Sequence, residues 1–146
     1  MRIERVAIIG LGLLGSSIAL ALKERAPGIA TTGFDADPNV RAKAGELGLV
    51  GAVCESPVEA VREVDLVILC VPVGAMRDAA AAIAHALPQT AIVSDVGSSK
   101  QSVAAALAEA LPGRCVIPAH PVAGTEHSGP EAGFATLFEG RWCILT

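Results

Sequence analysis

Apolar residues along this chain form short aliphatic runs that alternate with longer alanine- and leucine-rich segments. Short continuous apolar runs are typical of strands buried on both faces, and the longer segments, which carry polar residues at intervals, are typical of helices. The predicted strands cover residues 6–9, 31–34, 52–54, 66–71, 91–96, 115–117 and 142–145. The first predicted helix begins after residue 15. Four more predicted helices cover residues 38–48, 58–63, 74–87 and 99–111. This alternation predicts an α/β fold with a mostly parallel, doubly wound sheet and helices on both faces.

Three glycines separate the first strand from the first helix. Gly10, Gly12 and Gly15 have the G-x-G-x-x-G spacing of a dinucleotide-binding turn in a Rossmann-type fold. The first permits a sharp turn, the second lets a pyrophosphate approach the backbone, and the third lets the helix pack against the strand. Backbone N–H groups at the start of the helix, including those of Leu13 and Leu14, are then predicted to face the phosphates.

A carboxylate follows the second predicted strand. Asp35 lies twenty residues after Gly15, where an acidic residue can accept hydrogen bonds from an adenosine ribose. The sequence therefore predicts a nicotinamide or flavin dinucleotide site. The alternative is that Asp35 only caps the helix that begins at Pro38.

Further candidate residues lie at the carboxyl ends of other predicted strands. Val71 and Pro72 follow the fourth strand, Ser98 follows the fifth, and His120 follows the sixth. Because parallel strands end at the same rim of a sheet, the sequence predicts that these residues share one site with the glycine turn. Val71 and Pro72 are predicted to contact the cofactor there.

His120 is the candidate acid-base residue. Pro121 restricts its backbone to an extended conformation, and imidazole accepts a proton near neutral pH, as the oxidation of an alcohol requires. The alternative is a structural histidine bonded to the backbone. Ser98 could orient the imidazole, and it also fits a helix N-cap in a capping box with Gln101.

Composition excludes several classes of function. The net charge is −4, no basic run occurs, and the chain has three Phe, one Trp and no Tyr, which argues against nucleic-acid binding. No apolar run is long enough to span a membrane, and no metal-binding spacing occurs. The four cysteines lack C-x-x-C spacing and are predicted to be reduced, as in a cytoplasmic protein, with those in apolar strands behaving as small hydrophobic residues.

Four segments together carry a family resemblance: VAIIGLGLLGS (6–16), CVPV (70–73), DVGSSK (95–100) and HPVAGTEHSGP (120–130). Over essentially its whole length the chain resembles the amino-terminal domain of the prephenate and arogenate dehydrogenases of tyrosine biosynthesis. The last of these segments is the most specific.

The resemblance implies NAD-dependent oxidative decarboxylation of prephenate to 4-hydroxyphenylpyruvate. It implies that His120 takes the proton of the 4-hydroxyl group and that Ser98 orients His120 and touches the substrate. It also implies that Gly124, Thr125 and Glu126 contact the substrate at the edge of the site.

Residues 1–146 are therefore expected to form one NAD-binding domain, without the helical domain that follows in the family and forms its homodimer. The isolated chain is expected to bind NAD and to have little or no activity. Arogenate dehydrogenase, another β-hydroxyacid or imine dehydrogenase, and a non-catalytic NAD-sensing module remain alternative functions.

Overall fold

The computed structural model describes residues 1–146 and contains eight strands and five helices. The strands are β1 (Arg5–Ile9), β2 (Ala30–Phe34), β3 (Ala52–Val53), β4 (Leu66–Leu69), β5 (Ile92–Asp95), β6 (Cys115–Ile117), β7 (Ala119–Pro121) and β8 (Cys143–Leu145). The helices are α1 (Leu13–Arg25), α2 (Pro38–Leu47), α3 (Pro57–Val61), α4 (Met76–Ile83) and α5 (Lys100–Ala110). Two 3₁₀ turns cover Val73–Ala75 and Pro130–Ala132. None of the helices has the length and hydropathy needed to cross a membrane.

Six strands form one parallel sheet in the order β3-β2-β1-β4-β5-β6. This arrangement confirms the predicted Rossmann-type, doubly wound fold. The strand order reverses at β1, which pairs with β2 on one side and with β4 on the other. Ile9 at the end of β1 is in register with Phe34 and Leu69, so all three strands end at the same level. The residues that follow them therefore share one rim.

The core lies on both faces of the sheet, as the continuous apolar runs predict. Residues 6–9 of β1 are at most 3% exposed. Ala7 and Ile9 belong to a core of 17 buried residues, and Val6 and Ile8 belong to a second core of six on the other face. Successive side chains of a strand point to opposite faces, so this one strand contributes to both cores.

Helix ends agree with the sequence signals in one region and differ in another. The side chain of Asp37 caps α2 by accepting from the N–H of Asn39, and α2 ends at Gly48, as predicted. The predicted helix 74–87 is shorter, because α4 covers only Met76–Ile83 and follows a 3₁₀ turn. The predicted capping box of Ser98 and Gln101 is wrong.

The helix α5 begins at Lys100, and its N-cap is Ser99, whose side chain makes no capping bond. The cause lies in the turn before α5, where the N–H of Gly97 donates to the side chain of Asp95 at 2.7 Å. This bond leaves Ser98 outside the helix, in the connection between β5 and α5.

The chain leaves the main sheet after β6, which corrects two predictions. Pro118 follows β6, and proline has no N–H for a sheet ladder. His120 therefore does not end the sixth strand but lies in β7, where it pairs with Ile144 of β8 in a separate antiparallel ribbon. The predicted strand 142–145 belongs to this ribbon and not to the parallel sheet.

The cysteines differ in their surroundings. All four are free thiols; Cys54 is buried, Cys70 is half-buried, and Cys115 and Cys143 are exposed. The expectation that the strand cysteines behave as core residues is thus wrong for Cys115 and Cys143. Cys115 begins β6, an edge strand of the main sheet, and Cys143 begins β8, whose residues are all exposed.

Candidate functional site

A cleft of about 870 Å³ opens at the carboxyl ends of the parallel strands. It lies where the strand order reverses, the place at which open α/β sheets bind ligands. Nine of the predicted site residues line it: Gly10, Gly12, Leu13, Leu14, Asp35, Val71, Pro72, Ser98 and His120. The predicted residues Gly15, Gly124, Thr125 and Glu126 do not line it.

The three glycines of the turn differ in what surrounds them. Gly10 has a φ of +99°, and a Cβ there would lie 2.7 Å from the carbonyl carbon of Cys70. A Cβ on Gly15 would lie 2.9 Å from the carbonyl carbon of Gly10 and nearer still to its oxygen. A Cβ on Gly12 would meet no atom within 4 Å. Gly10 and Gly15 are therefore required by the fold, whereas Gly12 keeps a space open at the cleft.

That open space lies at the start of α1. Gly12 is the N-cap of α1, no side chain caps the helix, and its first turn carries no acidic residue. The first N–H groups of a helix have no partner within the helix, and the positive end of the helix dipole lies there. Because Gly12, Leu13 and Leu14 line the cleft, this helix start has the form and charge of a pyrophosphate site.

Asp35 joins the glycine turn to the end of β2. Its Oδ2 accepts from the N–H of Leu11 at 2.8 Å, and its Oδ1 accepts from the N–H of Asp37 at 2.9 Å. Asp35 is not the N-cap of α2, since that position belongs to Asp37. An ionised carboxylate has about four acceptor positions, so each oxygen of Asp35 can accept a further bond from a ribose hydroxyl.

Arg41 lies beside Asp35 at the same end of the cleft. Its guanidinium donates to the backbone oxygen of Asp35 at 2.8 Å and lies 5.5 Å from the centre of the Phe34 ring. A longer ion pair of 3.5 Å links it to Glu55. These contacts hold the guanidinium against the protein, next to Asp35.

Cys70 forms part of the cleft floor between the glycine turn and Val71. Burial raises the pKa of the Cys70 thiol well above its usual range, and the negative charge of Asp95 raises it further. The thiol is therefore protonated at neutral pH and is a poor nucleophile.

Ser98 and His120 come from different elements and meet at the same cleft. Ser98 follows β5, whereas His120 lies in the β7–β8 ribbon, where its backbone is held by strand pairing. The structure has no hydrogen bond between the Ser98 hydroxyl and the imidazole, so the orienting role of Ser98 stays a prediction. His120 is half-buried and Ser98 is exposed, so both side chains are accessible to a ligand.

Pro121 and Ala123, which follow His120, still line the cleft; the loop then leaves the cleft and returns to α1. Gly124, Thr125 and Glu126 are exposed, and the Thr125 hydroxyl accepts from the N–H of His127 at 3.1 Å. Farther along the loop, the N–H of Phe134 donates to the Ser17 hydroxyl on α1 at 3.1 Å. The loop is thus held at one end by the β7–β8 ribbon and at the other by α1, while its middle stays exposed.

Asp95 and Lys100 do not line the cleft, but Asp95 holds Gly97, which does, and the sequence reasoning missed both residues. They form an ion pair between the end of β5 and the start of α5, in which the Asp95 side chain is fully buried and that of Lys100 is 14% exposed. The sequence signal was a charged residue at the end of an apolar strand, followed five residues later by a lysine in the first helical turn, where the helix dipole disfavours a cation.

A second cleft, of about 840 Å³, lies at the amino ends of β1, β2 and β3. Arg5, Ala30 and Gly51 are among its lining residues, and it contains none of the predicted site residues. The structure has no group of three His, Cys, Asp or Glu side chains placed to hold a metal ion.

The parallel sheet with its reversal at β1, the glycine turn, the uncapped start of α1 and the carboxylate after β2 together define a nucleotide-binding domain of the Rossmann class. Comparison with known families gives the particular family. The family model described as the prephenate dehydrogenase nucleotide-binding domain matches residues 18–146. The chain belongs to this family, which confirms the resemblance seen in the sequence.

Named relatives agree with this assignment. A cyclohexadienyl dehydrogenase of Zymomonas mobilis is 48% identical over 143 residues, which cover 98% of this chain and 49% of the relative. The crystal structure of prephenate dehydrogenase from Aquifex aeolicus in complex with hydroxyphenyl propionate and NAD⁺ is 32% identical, with a TM-score of 0.90 over 100% of this chain and 51% of the relative.

A third relative is named for another substrate. The crystal structure of Synechocystis arogenate dehydrogenase is 29% identical, with a TM-score of 0.88 over 97% of this chain and 49% of that protein. The chain thus spans about half the length of these three relatives.

Proposed function

We propose that this chain is the NAD-binding part of a dehydrogenase that converts prephenate to 4-hydroxyphenylpyruvate by oxidative decarboxylation, a step of tyrosine biosynthesis. One observation carries the proposal: a single cleft contains both the glycine turn with Asp35 and the two polar residues Ser98 and His120. A domain that only sensed NAD would need the glycine turn and Asp35, but it would not need Ser98 and His120.

NAD is the cofactor, and the cleft offers a partner for each of its parts. The N–H groups at the start of α1 bind the pyrophosphate, because no side chain caps them and no acidic residue opposes the charge. Asp35 accepts from the adenosine ribose, and Val71 and Pro72 border the cofactor between β4 and α4. When bound, the cofactor accepts the hydride of the reaction.

His120 acts on the substrate as a general base. The imidazole takes the proton of the 4-hydroxyl group as the hydride leaves the carbon that bears this group. The ring carboxylate is then lost as carbon dioxide, and its bonding electrons complete the aromatic ring. Ser98, which faces the same cleft, contacts the substrate hydroxyl and orients the imidazole.

Arogenate is the second candidate substrate. It differs from prephenate in carrying an amino group instead of a keto group on the side chain, and the reacting ring is the same. The name of the Synechocystis relative, an arogenate dehydrogenase, supports this candidate. We also propose that the complete enzyme is cytoplasmic and forms a homodimer; light scattering of the purified protein tests the homodimer.

The test combines cofactor binding with turnover. NADH fluorescence titration of this chain is expected to give saturable binding. In a complete dehydrogenase that carries this domain, turnover is measured with prephenate and with arogenate. His120→Asn is expected to lower kcat by roughly 10²- to 10⁴-fold, the usual contribution of a positioned acid-base group, and to leave NAD affinity nearly unchanged.

His127→Asn is the matched control, because His127 is exposed and lies outside the cleft. It is expected to keep the parent kcat. If His120→Asn turns over saturating substrate at the parent rate, His120 is structural and the proposed mechanism fails. If neither substrate is oxidised by the parent enzyme, the proposed reaction itself is wrong.

A further inference from the structure

The carboxylate of Asp95 receives hydrogen bonds from three separate segments. Its Oδ1 accepts from the N–H of Ala119 at 3.0 Å, and its Oδ2 accepts from the N–H of Gly97 at 2.7 Å. The ammonium group of Lys100 donates to the same Oδ2. The three donors come from β7, from the turn after β5 and from the start of α5.

Only a carboxylate can satisfy this arrangement. All three partners are donors, and the side chain of Asp95 is fully buried, so no solvent can replace a lost acceptor. An asparagine would offer one oxygen and would turn its NH₂ group toward a donor. The charge of Asp95 is therefore part of the fit, and Lys100 compensates for that charge.

The two backbone donors are direct neighbours of the proposed reactive residues. Gly97 precedes Ser98, and Ala119 precedes His120. The two segments belong to different sheets, because β5 lies in the parallel sheet and β7 lies in the antiparallel ribbon. The Asp95 side chain bridges them at the point where Pro118 has interrupted strand pairing.

We infer that Asp95 is a positioning residue that sets the distance between Ser98 and His120 by holding the backbone before each of them. The expected effect of Asp95 on turnover rests on the proposed function. Its role in holding the two backbone segments does not. Asp95 does not line the cleft, so it acts through its neighbours and not on a ligand. The effect of its charge on the thiol of Cys70, in the cleft floor, agrees with this location.

The first test measures single-amide hydrogen exchange by NMR in this chain, comparing the parent with Asp95→Asn. An asparagine that keeps its oxygen toward Gly97 and Lys100 loses the bond to Ala119. Exchange at Ala119 is therefore expected to accelerate about tenfold or more, the usual effect of losing a hydrogen bond to a charged group, while Gly97 changes less. Unchanged exchange at Ala119, or the same acceleration at every amide, overturns the inference.

Ser94→Ala is the matched control. The Ser94 hydroxyl, one residue before Asp95, donates to the backbone oxygen of Ile117 at 2.8 Å. Ser94→Ala therefore removes a side-chain hydrogen bond from the same strand, and this bond does not connect to Ser98 or to β7. It is expected to leave exchange at Ala119 as in the parent. If Asp95→Asn fails to fold, Lys100→Met replaces it, since removal of the counter-charge is expected to accelerate exchange at both Gly97 and Ala119.

The second test measures turnover in a complete dehydrogenase that carries this domain. Asp95→Asn is expected to lower kcat about 10- to 100-fold, by analogy with the loss of residues that orient metal ligands, and to leave the KM for NAD near the parent value. A general loss of folding would instead lower the melting temperature and NAD binding together. A kcat equal to that of Ser94→Ala overturns the positioning role. If the parent enzyme oxidises no substrate, the proposed function fails while the exchange result still decides the structural part.

Discussion

Alanine substitutions at Gly12 and Gly15 are expected to separate cofactor binding from folding. The two glycines belong to the same turn and lie three residues apart. Their surroundings are opposite, since a Cβ at Gly12 meets no atom within 4 Å and a Cβ at Gly15 would overlap the backbone of Gly10. The same chemical change should therefore act on the cofactor at one position and on the fold at the other.

Gly15→Ala is expected to destabilise the protein. The Cβ would lie 2.9 Å from the carbonyl carbon of Gly10 and 3.3 Å from the Cβ of Cys70, so α1 must move away from β1 and β4. Overpacking of this kind costs about 1 to 3 kcal/mol, and the upper end applies because backbone atoms cannot rotate away. At about 2 to 4 °C per kcal/mol for a domain of this size, a loss near 3 kcal/mol lowers the melting temperature by roughly 6 to 12 °C.

Gly12→Ala is expected to fold normally and to bind NAD poorly. The φ of −77° at Gly12 is open to alanine, and the weaker N-cap changes the free energy of unfolding by about 1 kcal/mol or less. The added methyl group instead occupies the space over the start of α1 that the pyrophosphate needs. Losing one charge-assisted hydrogen bond, worth about 1.5 to 3 kcal/mol, weakens NAD binding roughly 10- to 100-fold.

Calorimetric titration with NAD⁺ and thermal unfolding of both variants measure the two effects. Gly28→Ala is the control, because Gly28 is exposed, lies away from the cleft and has space for a Cβ. It is expected to match the parent in both assays. If Gly12→Ala binds NAD⁺ as tightly as the parent, the pyrophosphate does not lie over Gly12. If Gly15→Ala melts within a few degrees of the parent, the packing argument is wrong.

Three further outcomes are expected. NAD should bind at least about tenfold more tightly than NADP by calorimetry, because the Asp35 carboxylate repels a 2′-phosphate and Arg41 is already engaged; tighter binding of NADP would contradict this. Thiol labelling should modify the exposed Cys115 and Cys143 quickly and Cys70 slowly, since the raised pKa of Cys70 keeps it protonated as pH rises. NAD should slow the labelling of Cys70 further, and labelling of Cys70 as fast as that of Cys115 would contradict the raised pKa. This chain alone should oxidise prephenate at a negligible rate, since no lysine or arginine lines the cleft to bind the two carboxylates of the substrate, and robust turnover in a spectrophotometric assay would disprove this.

Local sequence determined the parts of the fold that depend on neighbours in the chain. The run at residues 6–9 predicted a strand buried on both faces, and the glycine spacing after it predicted the turn into α1. Topology then extended these local signals, because helix-connected parallel strands end at one rim. For that reason Asp35 and Ser98 could be assigned to one rim without any knowledge of side-chain contacts, whereas His120 reaches the same cleft through the antiparallel β7–β8 ribbon.

Only the tertiary structure decided how the chain departs from the parallel sheet. The β7–β8 ribbon joins residues more than twenty positions apart, and an apolar run does not specify its strand partner. The sequence therefore could not tell that Cys143 is exposed on a two-stranded ribbon. The sequence shows the proline after β6, but it does not show that the residues after this proline pair with β8.

The sequence also could not predict the hydrogen-bond partners of individual side chains. Ser98 and Gln101 have the spacing of a capping box, yet the Asp95 carboxylate engages Gly97 and Lys100 and leaves Ser98 outside the helix. That carboxylate also reaches Ala119, 24 residues away. A buried charge must find all of its donors in the folded chain, and donors that come from three segments meet only when the tertiary structure has formed.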